Sequence, residues 1–273
     1  MKLENDALAQ IVTRILQSPK YRGKGIQPDT VRDLILKDAP NYNSSKELTK
    51  SVRRKLHNIV APYLGEPDYK ALTEKWLNIK EPSPDSPLTR ALCLDILSQH
   101  ASTKERTPTL ESFYAQIFEI TGTPDSILDL ACGHHPIGFP FMHLPISTRY
   151  HAYDIIQPRI NFINLFFESL GLLPLAENRD ILVSPPQVHA DVGFFLKEAH
   201  RFEKRAPGSN CKFWEALNVD ALVVSLPAHN LTGTHSLLKQ HRRLVDENLP
   251  SSREFIDLQI GDEMLFILKK RGG

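Results

Sequence analysis

The sequence predicts an α/β chain in two parts, a mostly parallel sheet wrapped by helices and a helical stretch in front of it. Three observations carry this. Through the first hundred residues, apolar side chains recur at helical spacing. After Thr123 the rhythm changes, and the short apolar runs Ser126–Ala131, Tyr150–Ile155, Val192–Leu196 and Ala221–Leu226 alternate with longer helical stretches. At the end, Glu254–Ile260 and Glu263–Lys269 flank Gly261-Asp262, the grammar of an antiparallel hairpin.

The elements follow in order. Ala7, Leu8, Ile11, Val12, Ile15 and Leu16 make one face of a first helix, with Asn5 or Asp6 as its cap. Pro28-Asp29-Thr30 opens a second, carrying Val31, Leu34 and Ile35. Ser44 or Ser45 caps a third, with Leu48, Val52, Leu56 and Ile59 as its apolar stripe. Glu81–Pro87 is a stiff spacer with three prolines. A helix over about 88–98 and another after Pro108, with Leu110, Phe113, Tyr114, Ile117 and Phe118 apolar, lead into the sheet.

Composition narrows the class. Apolar residues are 41% and charged residues 24% of 273, which argues against global disorder. No apolar run reaches membrane-spanning length. Met1–Asp6 carries acids where a signal peptide needs an apolar core, so a cytoplasmic protein is expected. Cys93, Cys132 and Cys211 lie far apart, which fits a reducing compartment without a disulfide framework. The net charge of +1 hides an asymmetry: residues 1–60 hold 12 Lys+Arg against 6 Asp+Glu, leaving 21 against 26 for the rest. A basic front end suits a polyanionic partner. Lys20, Arg22 and Lys24 sit in one turn with Tyr21, and Lys46, Lys50, Arg53, Arg54 and His57 recur along one side of the third helix, away from its apolar stripe.

The chemistry centres on Ser126–Gly133, a buried strand running into a turn of small residues, Ala131-Cys132-Gly133. Small residues let a ligand approach the backbone. Asp129 lies near the strand's C-terminal end, where open α/β sheets bind ligands. The next strand ends in Asp154, an acid placed to accept ribose hydroxyls. A dinucleotide site needs three spaced glycines at a helix start to reach pyrophosphate, and only Gly133 is present. S-adenosylmethionine, which has no phosphate, suits the turn better. Asp180, where a third strand should end, is a candidate for the adenine amino group or a plain capping aspartate. GxSxG, HExxH and P-loop motifs are absent, and His134, His135, His143 and His151 lack metal-ligand spacing, so no metal is expected. Methylation of a ring nitrogen with a free lone pair, such as guanine N7, would need no base.

His100-Ala101-Ser102-Thr103-Lys104-Glu105-Arg106, with Ile127–Gly133 and Asp154, resembles the aminoglycoside-resistance methyltransferases of 16S ribosomal RNA (Arm/Rmt/FmrO type). Ser18–Arg22, Pro28–Val31, Lys55-Leu56-His57, Val224–Pro227 and Ile260–Met264 extend the resemblance over nearly the whole chain. It implies a class I (Rossmann-like) S-adenosylmethionine-dependent methyltransferase domain at 106–273 behind a helical RNA-binding domain at 1–105. It also implies methylation of guanine N7 in the decoding site of the 30S subunit, by a monomer that uses positioning rather than a catalytic side chain. Thr103 and Arg106, beside His100, would hold the cofactor's carboxylate. Asp129, Ala131 and Gly133 would form the turn beneath its methionyl part, Asp154 and Ile155 would take the ribose, and Asp180 with Ile181 the adenine. Lys20, Arg22, Lys24, Lys50, Arg53, Arg54 and Lys55 would face rRNA phosphates. Two stretches depart from the family's pattern: Lys197-Glu198-Ala199-His200, where relatives carry Lys-Leu-Leu-Pro, and 228–235, which lacks every Lys and Arg. A divergent relative acting on another RNA or a small molecule, or a non-catalytic RNA-binding protein, are the alternatives.

Overall fold

The computed structural model describes residues 4–60, 67–230 and 234–272, with only the backbone of Ala101 and Ser102. Three helices open the chain: α1 (Asn5–Leu16), α2 (Pro28–Asp38) and α3 (Ser45–Val60). Helix α1 starts at Asn5 itself, preceded by Glu4 and without a side-chain cap. The three close a small core of their own around Ile15, Val31, Ile35, Leu48, Val52 and Leu56.

An element the apolar spacing did not single out follows. Helix α4 (Tyr69–Leu77) is capped by Asp68, whose carboxylate accepts the N–H groups of Lys70 (3.0 Å) and Ala71 (3.3 Å). Helices α5 (Pro87–Gln99), α6 (Ala101–Lys104) and α7 (Leu110–Thr121) lead to the sheet. Ser86 caps α5, and Pro87 occupies the first turn, where its missing N–H costs nothing. Leu72, Trp76, Leu92, Cys93 and Ile96 pack into the core under the sheet, not with α1–α3. The core of α1–α3 also takes in Ile156, at the start of α8 (Gln157–Ser169).

The sheet has seven strands in the order β3-β2-β1-β4-β5-β7-β6. Strands β1 (Ser126–Leu130), β2 (Arg149–Asp154), β3 (Ala176–Asn178), β4 (Ala190–Leu196) and β5 (Val219–Pro227) run parallel, and β7 (Glu263–Lys270) pairs antiparallel with β5 and with β6 (Arg253–Ile260). A two-residue turn at Gly261-Asp262, with Gly261 at φ +58°, closes the hairpin. Alternation assigns each strand residue to a layer. Ile127, Val192, Phe194, Val223 and Ile267 face α4, α5, α7 and α8 (Gln157–Ser169), whereas Leu128, Phe195, Val224 and Phe266 face α9 (Ala199–Arg205), α10 (Ser209–Ala216) and α11 (Leu238–Asn248). No helix among the described residues is long and apolar enough to cross a membrane.

The small helical core is tied to the sheet's C-terminal edge through the turn at 20–25. The Gln157 N–H donates to Lys24 O (2.9 Å) and Asn178 Nδ2 to Gly25 O (2.8 Å). Gly25 has φ +61°, and a Cβ there would sit 2.4 Å from Gln157 Cβ. Gly25→Ala should therefore cost about 1–3 kcal/mol in crowding and backbone strain and lower the thermal midpoint by roughly 2–10 °C. Gly23→Ala, where a Cβ meets nothing within 4 Å, should leave it nearly unchanged in the same melting experiment.

Candidate functional site

A cleft opens at the C-terminal edge of the parallel strands. His100, Thr103, Arg106, Ala131, Gly133, Asp154, Ile155, Asp180 and Ile181 all line it, so nine of the ten residues singled out for a cofactor come together. Asp129 does not line it. Strand alternation turns its side chain into the core below β1, where Oδ2 accepts from the Tyr150 hydroxyl (2.8 Å) and meets His135 Nδ1 (2.8 Å). A carboxylate only accepts, so this His135 nitrogen carries the proton. Asp129 supports the turn from beneath.

The turn itself is shaped by backbone. Ala131 and Gly133 both have left-handed φ, +54° and +55°. A Cβ on Gly133 would meet nothing within 4 Å, so the chain leaves open space on that side. The Gly133 N–H donates to Asp154 Oδ2 (3.1 Å). The same oxygen receives Arg159 Nη1 (2.6 Å), and Oδ1 accepts the Ile156 N–H (3.0 Å).

The cleft's other acids are paired with arginine as well. Arg205 grips Asp180 with both terminal nitrogens (2.9 and 2.7 Å) and reaches towards Asp33 of α2 (3.5 Å). Arg201 pairs with Glu198 and donates to the last carbonyls of α3, Asn58 O (3.0 Å) and Ile59 O (2.9 Å). Ile59 and Val60 thereby become a wall of the cleft. Arg106 is wholly buried, its Nε and Nη2 held by Glu263 (2.7 and 2.6 Å). Only Nη1 of its fork makes no hydrogen bond among the described residues. Thr103 Oγ1 lies 2.6 Å from Leu97 O and 3.2 Å from His100 O, closing the bend between α5 and α6. Lys197, at left-handed φ +60°, pairs with Glu105 and lies 3.7 Å from Glu263.

Burial dominates the electrostatics. It pushes the Glu198 carboxyl up to about 7, with Arg201 opposing. It drives the His134 imidazole well below its ordinary range, helped by Arg159. Glu263 is held below its usual value despite burial, because Arg106 and Lys197 face it.

The basic residues form a second feature. Tyr21, buried, donates its hydroxyl to Arg53 O (3.1 Å), which brings the turn with Lys20, Arg22 and Lys24 against α3. Lys20, Arg22, Lys50, Arg53 and Arg54 are exposed and make no ion pair among the described residues; Lys24 is half-buried. Lys55 differs. It neutralises the buried Asp38, which also accepts from Ser51 Oγ (2.8 Å), so it serves the helical core first. Of the 228–235 loop, residues 231–233 lie outside the described residues. His229 pairs with Asp262 at the hairpin turn.

Arg159, Arg201, Arg205 and Glu198 were not singled out as site residues. The available signal was the spacing of Arg201 and Arg205, four apart and so on one face of a helix just past a strand end. Among the described residues no three His, Cys, Asp or Glu side chains converge as a metal site.

The strand order, the glycine turn after β1 and the acid ending β2 define a class I methyltransferase fold. Comparison with known proteins narrows this: the sequence matches the family described as "Ribosomal RNA methyltransferase (FmrO)" over residues 17–259, and the chain belongs to that family. It is 29% identical to the 16S rRNA (guanine(1405)-N(7))-methyltransferase of Proteus mirabilis, covering 99% of this chain and 100% of the relative. The enzyme of the same name from Micromonospora echinospora is also 29% identical, with 97% of each covered. Among solved structures, the 16S rRNA methylase RmtB superposes with a TM-score of 0.79 at 26% identity, covering 97% of this chain and 98% of that one. The fold is also that of RmtF, solved with S-adenosyl-L-homocysteine (TM-score 0.78, 22% identity, 98% and 100% covered).

A pH test isolates Glu198. Its carboxyl titrates above its ordinary 4.5, so the stability of the neutral form is complete below that pH and is lost as pH climbs to about 7. The thermal midpoint of the wild type should fall relative to Glu198→Gln across that window and run parallel to it above.

Proposed function

We propose that this chain transfers a methyl group from S-adenosylmethionine to N7 of a guanine in 16S rRNA, acting as a monomer on the decoding site of the assembled 30S subunit in the cytoplasm. The observation that carries it is the cleft at the strand ends, in a chain whose family membership spans residues 17–259. The residues present fit the cofactor. The turn at Gly133 has the open space a methionyl chain needs, and Ile155, Ile156, Ile181, Leu196 and Phe202 give apolar walls for an adenine. Asp154 takes the ribose through the capacity left on Oδ1, and Asp180 with Ile181 meets the adenine edge. Arg106 offers Nη1 to the carboxylate beside Thr103 and His100, and its fork is aligned by Glu263.

Bound there, S-adenosylmethionine supplies a methyl group on an already activated sulfonium. The chain's own task is alignment, and holding donor and acceptor at near-attack distance accounts for most of the acceleration. Guanine N7 has a free lone pair, so no proton must leave before attack. The cleft agrees with this. Asp154 and Asp180 are each engaged by an arginine, and burial keeps the nearby His134 neutral. The exposed face of Lys20, Arg22, Lys50, Arg53 and Arg54, with Lys24 at its edge, meets rRNA phosphates and sets the register of docking.

The test treats purified 30S subunits and naked 16S rRNA with protein and cofactor, followed by reduction, aniline cleavage and primer extension. A stop at a single guanine on subunits and not on naked RNA is the expected result; no stop on either refutes the target. In a drug-sensitive host, expression should raise aminoglycoside tolerance. Arg53→Ala/Arg54→Ala should weaken subunit binding and lower the salt slope by roughly one unit per lost contact, while binding of S-adenosylhomocysteine stays unchanged.

A further inference from the structure

Asp154 is held on a closed ring. Its Oδ2 receives the Gly133 N–H (3.1 Å) and Arg159 Nη1 (2.6 Å). Arg159 Nε donates to the Tyr69 hydroxyl (3.1 Å). That hydroxyl lies 3.1 Å from His134 Nε2, and His134 is the neighbour of Gly133, where the ring began. Four elements are joined: the turn after β1, the end of β2, α8 and α4.

We propose that Arg159, aligned by Tyr69, is a positioning residue for cofactor recognition: it fixes the Asp154 carboxylate so that Oδ1 faces the ribose. The proposal rests on the assignment of Asp154 to the ribose. Three arguments support it. A carboxylate has about four acceptor positions, and two donors on Oδ2 with one on Oδ1 leave a single open place, on Oδ1. The ribose must then be read by an oxygen whose direction is set by what grips the other one. Arg159 is itself 7% exposed and lines the same cleft, so its charge acts there with little screening. The Tyr69 contact is directional: it engages Nε and leaves Nη1 pointing at Asp154, which a lysine could not reproduce. Helix α4 is anchored for this by Trp76, whose Nε1 donates to Ser169 Oγ of α8 (3.1 Å) and whose ring packs on Phe166. Helix α4 thereby carries Tyr69 to Arg159.

The experiment is calorimetry of S-adenosylhomocysteine and of its 2′,3′-dideoxyribose analogue against the full chain, as wild type, Arg159→Ala, Arg159→Lys and Tyr69→Phe. The wild type should prefer the natural ligand by about tenfold or more, the value of one charge-assisted hydrogen bond. Arg159→Ala should bind S-adenosylhomocysteine more weakly and lose most of that preference, to about twofold or less, because the hydroxyls then meet a misaligned acid. Tyr69→Phe and Arg159→Lys should keep an intermediate preference. A purely structural role would weaken both ligands equally and keep the ratio at its wild-type value in all three variants; that result overturns the proposal and leaves the ribose assignment standing. A wild type without preference overturns the ribose assignment and the proposal with it. If Arg159→Ala does not fold, Tyr69→Phe and Arg159→Lys decide, since a ratio equal to wild type in both refutes the proposal.

Discussion

Each acid that faces the cleft is gripped by an arginine. Asp154 meets Arg159, Asp180 meets Arg205, Glu198 meets Arg201, and Arg106 is itself closed on Glu263. The constraint behind this is desolvation. A charge taken out of water costs several kcal/mol unless a partner with good geometry offsets it. Carboxylates able to bind hydroxyl and amino groups line the cleft, yet they sit at strand ends already enclosed by helices. The arginines reconcile the two demands. They come from α8, α9 and the segment after α6, so the charge pairs also fix where those elements sit.

Helix α9 shows how far this reaches. Arg201 and Arg205 are one helical turn apart, and each has one hand on a cleft acid and the other on the helical unit, at the C-terminal carbonyls of α3 and at Asp33. Cations are stabilised at a helix C-terminus by the unsatisfied carbonyls and the dipole, so Arg201 is placed favourably for both partners. The helix that carries Lys50, Arg53 and Arg54 along its length therefore ends as a wall of the cleft. The exposed basic face and the cleft are two sides of one packed arrangement.

The sheet was legible in the sequence because its signals are local. Strands β1, β2, β4, β5 and the closing hairpin announce themselves as apolar runs between turn residues, and Gly133 and Asp154 follow from position on such runs. Helix α4 was less visible, since its nine residues offer only Leu72 and Trp76 to the core; the Asp68 cap was the one sharp signal. The position of Asp129 along the strand suggests a ligand contact, while the face it occupies depends on register and turns it into the core. Lys55 was read by its charge, though the buried Asp38 beside it could be known only from how α2 and α3 cross. The arginine pairs stayed hidden for a similar reason: Arg106 and Glu263 are 157 residues apart, and no local pattern joins them.

Such pairing also decides how the site can do chemistry. Asp154 and Asp180 have lone pairs committed to arginine, and burial takes the acidic proton from His134. Those groups are consequently suited to holding rather than to moving protons. A ring nitrogen with a free lone pair needs only distance and angle. The demands on the protein then shift from acid–base strength to rigidity. Rigidity is what a ring of hydrogen bonds through Gly133, Asp154, Arg159, Tyr69 and His134 provides, because displacing any member breaks contacts on both sides of it.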